Sequence, residues 1–181
     1  MTPHMHSNAT GKGFSLLELL IVVAIVLIIA AIAVPNLMRS RVAANHASAV
    51  ASLRVINSAE TTYAMQYEIG YTRTLANLGP PPAGSQRSSS AAELIDNVLA
   101  SGTKSGYIFT YVPGAPDGVG HFQQYSVNAN PSQPGSTGNS YYFSDQTAVI
   151  RLNAATTASS SDSDIGEEEL FRAGSRTGKA K

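Results

Sequence analysis

The chain has no cysteine and few charges, and each shortage removes a class of function. Without cysteine there is no disulfide, no thiol nucleophile and no thiolate metal ligand. Charged residues make up 13% of the 181 residues, about half the usual share, and twelve Lys and Arg balance twelve Asp and Glu. A neutral, lightly charged chain has no basic field of the kind that holds nucleic acid, so no specific nucleic-acid partner is read from it. Catalytic signatures are missing as well: there is no Gly-x-Ser-x-Gly elbow, P-loop, His-Glu-x-x-His pair or dinucleotide fingerprint. No residue is therefore assigned a catalytic role, no cofactor is expected, and an enzyme is not the reading. Phe, Tyr and Trp are absent from Ser15 through Thr62, which leaves no stacked path along that stretch.

What is present is unevenly spread. From Leu19 to Val34 no residue is polar or charged, and with Leu16 and Leu17 in front the run approaches the roughly 20 residues that span a bilayer core as a helix. Glu18 breaks this logic, because an acid costs on the order of 2.5–3.5 kcal/mol at the middle of a spanning helix and somewhat less near an interface. If the chain is cut between Gly13 and Phe14, a new α-ammonium stands four residues before Glu18 on one helix face. That charge is badly placed at the positive end of the macrodipole, and the carboxylate offsets both. Two plainer readings compete. One is an ordinary membrane anchor with a stray acid. The other is a secretory signal cut after Ala33, which releases a secreted binding domain starting at Val34. Against the second, the run exceeds the usual apolar region of about 7–15 residues, and Lys12 is the only Lys or Arg ahead of it.

Gly13, Phe14, Glu18, the apolar run and Pro35 closely resemble the processing and assembly motif of type IV pilins and their relatives. The resemblance implies that a prepilin peptidase cuts after Gly13, that Phe14 is then N-methylated, and that Glu18 pairs with the amino terminus of a neighbouring subunit. It implies a homo-oligomeric helical filament, an inner-membrane assembly platform, minor pilins, and membrane lipid around the helix before assembly. The implied location is the inner membrane first and an extracellular pilus afterwards. Pro35 sits where the family commonly has a kinking proline, and a ring that blocks the helical ladder predicts a kink or local melting over Ala31 to Pro35. Many pilins close their C-terminal loop with a disulfide, which this chain cannot do. The family reading is the major subunit of a type IV pilus serving adhesion, twitching motility or DNA uptake; the major pseudopilin of a type II secretion system is the alternative.

The remaining chain fits that architecture by pattern. Residues 1–13 read as a leader peptide, in which His4 and His6 are discounted as a metal pair. Residues 14–35 form the transmembrane and assembly helix. Residues 36–69 continue it as an amphipathic half, with Val42, Ala49, Leu53, Ile56, Tyr63 and Tyr67 on one face. Arg39, Arg41, Arg54 and Glu60 fall on or beside the other, and Gly70 is the stop. A linker-like αβ-loop over 70–105 contains Pro80 to Pro82 and a short helix, 90–101, opened by a capping box at Ser90-Ala91-Ala92-Glu93 and closed by Gly102.

Over 106–152 the period falls to two. Strands are expected at Tyr107 to Val112, Phe122 to Val127, Tyr141 to Phe143 and Thr147 to Leu152, with a loop over 128–140. The predicted fold is thus α+β, a pilin fold with its long helix packed on a four-stranded antiparallel sheet. Asp117 and Asp145 are too isolated for a calcium cage and read as turn residues, and no metal is assigned. His46 and His121 read as core or surface side chains. The tail, 153–181, is expected to be disordered, with Leu170 and Phe171 too few to dock it and Ser159 to Ser161 as sugar sites only by family analogy.

Overall fold

The computed structural model describes residues 14–166 and divides into two compact units at Arg39 and Ser40. The leader with Gly13, His4, His6 and Lys12, and the tail beyond Gly166 with Leu170 and Phe171, lie outside the described residues. The elements are helix α1 (Leu16–Tyr67), a 3-10 turn (Leu75–Leu78), helix α2 (Asn97–Ala100), and strands β1 (Thr103–Lys104), β2 (Tyr107–Pro113), β3 (Tyr125–Pro131), β4 (Tyr141–Asp145), β5 (Arg151–Asn153) and β6 (Ser163–Asp164).

In the first unit the chain is helical from Leu16, and its large apolar side chains are exposed on every side. Pro35 lies inside an unbroken helix. The local melting expected over Ala31 to Pro35 is therefore absent. Proline removes one donor, and the neighbouring turns keep theirs; the Asn36 side-chain amide also donates to the Ile32 carbonyl at 3.1 Å.

In the second unit α1 turns amphipathic. Ala49, Leu53, Ile56 and Tyr63 are buried as expected, while Val42 and Tyr67 are half-buried. Glu60 is a correction: it is fully buried, not on the solvent face. Its place follows from helical spacing, since 53, 56, 60, 63 and 67 recur at three and four and form one row.

The helix ends at Tyr67, ahead of the expected Gly70, because Glu68 already adopts φ 56°. Gly70 has another task. It bridges to Phe122 at φ 77°, where a Cβ would stand 2.3 Å from the Phe122 carbonyl oxygen. Only glycine allows both that angle and that approach.

The sheet has six antiparallel strands in the order β1-β2-β3-β4-β5-β6, two more than predicted; the additions, β1 and β6, are two-residue edges. It is the expected meander. β3 starts at Tyr125, later than Phe122, and runs through residues first assigned to the loop, so all seven residues of β2 find partners, from Tyr107↔Pro131 to Pro113↔Tyr125. Period-two alternation sends Tyr107 and Phe109, then Tyr125, Val127 and Ala129, then Tyr142 into one core with Leu53, Ile56 and Tyr63 of α1. Burying a Leu or Ile of this kind contributes about 1.5–3 kcal/mol.

Two other expectations fail locally. Residues 90–96 are not helical: Glu93 has φ 56°, Ser88 bridges Ala91, and the backbone N–H groups of Ala92, Glu93 and Leu94 donate to Asn77, Gly79 and Leu78. α2 is a single turn capped by Asp96, whose Oδ1 accepts from Leu99 N at 2.9 Å, and Gly102 follows it at φ 81°. Ile95 and Leu99 are buried but Val98 is exposed. Leu75 and Leu78 are buried, so 70–105 is more packed than a linker.

The chain from Asn153 to Gly166, expected to be disordered, is built onto the sheet. Asn128 and Asn130, on the β3 face opposite the core, donate to the Ala158 carbonyl at 2.7 Å and the Thr157 hydroxyl at 3.4 Å. Ala158 is buried and β6 closes on β5. Composition misled here because amides in the sheet supply what the segment's small side chains lack.

Candidate processing and assembly site

The helix begins on a reciprocal cap. Ser15 N donates to Glu18 Oε2 at 2.9 Å, and Leu17 N donates to Ser15 Oγ at 3.3 Å. Four N–H groups at a helix start lack internal partners, and this Ser-x-x-Glu arrangement satisfies two of them. The same spacing was assigned to Ser90 and Glu93. It forms instead at Ser15, where an uninterrupted helical run follows, and fails at Ser90, where the backbone docks on residues 77–79.

Glu18 is thus aimed toward the chain start as well as being acidic. A carboxylate has about four acceptor sites, so holding one N–H leaves capacity for a cation. Phe14, just ahead of the cap, is 87% exposed.

Behind the cap, α1 is the one helix among the described residues long and apolar enough to cross a membrane. None of its most apolar stretch is buried within the protein. A helix apolar all round requires lipid or other helices to cover it. Arg39 and Arg41, both exposed, follow that stretch.

The other candidates lie elsewhere and serve the fold. Asp117 Oδ1 accepts from Val119 N and His121 N, both at 2.9 Å; Asp145 Oδ1 accepts from Thr147 N at 2.9 Å. Each closes its own turn, and the two backbone bonds hold the Asp117 carboxyl below its ordinary range. Among the described residues no three His, Asp or Glu side chains converge as a metal site would require. His46 accepts from Asn139 N at 3.2 Å and meets the rings of Tyr107 and Tyr142 edge-on, and burial lowers its pKa.

Two buried polar clusters escaped the sequence. The Glu60 carboxylate accepts Thr72 N at 2.9 Å and the Thr72 hydroxyl, and the Tyr111 hydroxyl donates to Thr72 O at 2.9 Å. Burial pushes the Glu60 carboxyl up, while the Thr72 and Tyr111 hydrogen bonds oppose that rise. Tyr111 itself is pushed up by burial, then by Glu60. Beside it, Asn57 donates to Ser144 at 2.8 Å and accepts from the Tyr125 hydroxyl at 3.0 Å. These join α1 to the sheet and leave no open surface for substrate.

The described chain thus combines an apolar helix with an acid in its opening cap and an amphipathic half packed on an antiparallel meander. Residues 10–34 match the family model described as the prokaryotic N-terminal methylation motif, the type IV prepilin signature. The match over these residues supports a type IV pilin or pseudopilin-like protein. Such a motif implies, in general, processing by a prepilin peptidase and assembly into a filament, and it is compatible with inner-membrane anchoring beforehand. No curated protein and no solved structure matches the chain.

Proposed function

We propose that this protein is the structural subunit of a type IV pilus, cut between Gly13 and Phe14, N-methylated at Phe14 and polymerised through its apolar helix. The observation that carries the reading is the Glu18 carboxylate turned toward the chain start on a helix whose most apolar stretch is uncovered. Cleavage puts an α-ammonium on Phe14. Methylation leaves that amine charged, and Glu18 of one subunit pairs with the Phe14 amine of the next while its own Ser15 cap persists. The apolar surfaces then leave lipid for one another in a heterologous contact that propagates instead of closing. Pro35 serves as a bend point when helices pack, because its missing N–H weakens one turn. The partners are other copies of the chain, prepilin peptidase, the inner-membrane assembly platform and minor pilins. The filament serves adhesion, motility or DNA uptake outside the cell.

Mass spectrometry of protein sheared from the cell surface tests this: a filament fraction that begins at N-methylated Phe14 is expected. A soluble chain beginning at Val34 overturns the reading. Two substitutions separate the roles of Glu18. Glu18→Gln keeps an oxygen for the Ser15 cap and removes the charge, whereas Glu18→Ala removes both. Both variants should be processed and inserted yet give little filament; full filament yield from Glu18→Gln eliminates the charge pair.

A further inference from the structure

Past the end of α1, a recess of about 300 Å3 opens, lined by Tyr63, Tyr71, Phe122, Arg73, His121 and Ser89 among others. That volume lies at the small end of ligand sites. The Gly70–Phe122 bridge and Tyr71 N, which donates to Phe122 O at 2.7 Å, fix two of its walls to each other. Tyr63 is fixed by its hydroxyl, which donates to the Ser89 carbonyl at 2.7 Å, and Tyr71 by its edge-on contact with Tyr125. The rings are thus preorganised by bonds that leave the recess open.

Its polar groups are unequally used. Among the described residues, the Arg73 guanidinium and the side-chain hydroxyls of Tyr71 and Ser89 have no hydrogen-bond partner. Among the described residues no carboxylate lines the recess. Asp117 is engaged in its turn with Val119 and His121, and Glu60 in the core with Thr72. Two partly exposed aromatic rings, Tyr71 and Phe122, one unpaired guanidinium and hydroxyls able both to donate and to accept make a site for a flat, hydroxylated body with one anionic group. A guanidinium matches a carboxylate in two parallel bonds.

We propose that this recess binds a carboxylated pyranose, its C–H face against the aromatic rings, its carboxylate on Arg73 and its hydroxyls on Tyr71 and Ser89. The site lies wholly in the second unit and needs neither cleavage nor polymerisation, so it goes beyond the filament reading and can fail independently of it.

The test uses the full chain in detergent micelles and methyl β-D-glucuronide as probe, with saturation-transfer NMR to follow the sugar protons. Transfer to the ring C–H protons is expected, with methyl β-D-glucoside binding about tenfold more weakly for lack of the carboxylate. Arg73→Gln should weaken glucuronide by a similar factor, and Tyr71→Phe and Ser89→Ala, which keep the packing, by less. Far-UV dichroism and the melting midpoint establish that each variant is folded. No transfer from the folded protein, or equal binding of the two sugars, overturns the proposal, as does unchanged binding by folded Arg73→Gln. A glucuronate-terminated oligosaccharide separates two sources of the same chemistry: tighter binding than the monosaccharide assigns a glycan end, and equal binding a free sugar acid.

Discussion

The Glu60 carboxyl and the His46 imidazole tie stability to pH in opposite directions. Burial raises Glu60 above its ordinary 4.5, so the folded chain holds that proton more tightly than the unfolded one. Its contribution is complete below pH 4.5 and is lost as pH rises through the folded value. Glu60→Gln should therefore flatten the stability-versus-pH curve above 4.5, measured by denaturant unfolding at a series of pH values; an unchanged slope refutes the assignment. Burial lowers His46 below 6.5, so protonation favours the unfolded chain and stability falls as pH drops through the folded value. The protonated ring also cannot accept from Asn139 N. Exchange of the Asn139 amide, corrected for its intrinsic pH dependence, should quicken as pH falls below 6.5, and His46→Gln should remove that dependence. Glu60 was legible in principle, since it stands in the row of Leu53, Ile56 and Tyr63. Its charge argued against the row, and only Thr72, twelve residues on, and Tyr111 resolve the conflict.

Helix and sheet differ in how much of each could be read from local pattern. α1 was legible because helical periodicity and the apolar run are properties of consecutive residues, and the core face of β2 for the same reason. The two Ser-x-x-Glu boxes show the limit: identical spacing makes a cap at Ser15 and none at Ser90, because residues 92–95 find backbone partners at 77–79. Strand ends depended on partners too, and β3 reaches Pro131 because Tyr107 faces it. The helix exit is held by Gly70 against Phe122. Gly70→Ala forces a side chain into φ 77° and a Cβ to 2.3 Å from an oxygen, so a loss of about 2 kcal/mol or more is expected in denaturant unfolding. A neutral result would mean that the bridge yields freely.

At the scale of the molecule, the segment from Asn153 to Gly166 makes the sheet two-sided: α1 covers one face, and the Ala158 stretch lies on Asn128 and Asn130 at the other. A chain ending at Asn153 loses β6 and the burial of Ala158, so its melting midpoint should fall relative to a chain ending at Gly166, by roughly 2–4 °C for each kcal/mol lost in a protein of about 150 residues. Equal midpoints would show that the segment adds nothing to the sheet. Consecutive residues carry the methylation motif, the membrane-length run, the placing of an acid after Phe14 and the helix-then-meander order. All of these are contiguous patterns whose physics is settled within a few residues. Tertiary structure alone decided that Glu60 is buried, which Ser-x-x-Glu box forms, that a serine-rich segment is ordered, and that Tyr63, Arg73 and Phe122 meet around one recess. Each of those depends on groups brought together from distant parts of the chain, where burial and hydrogen-bond partners override local preference.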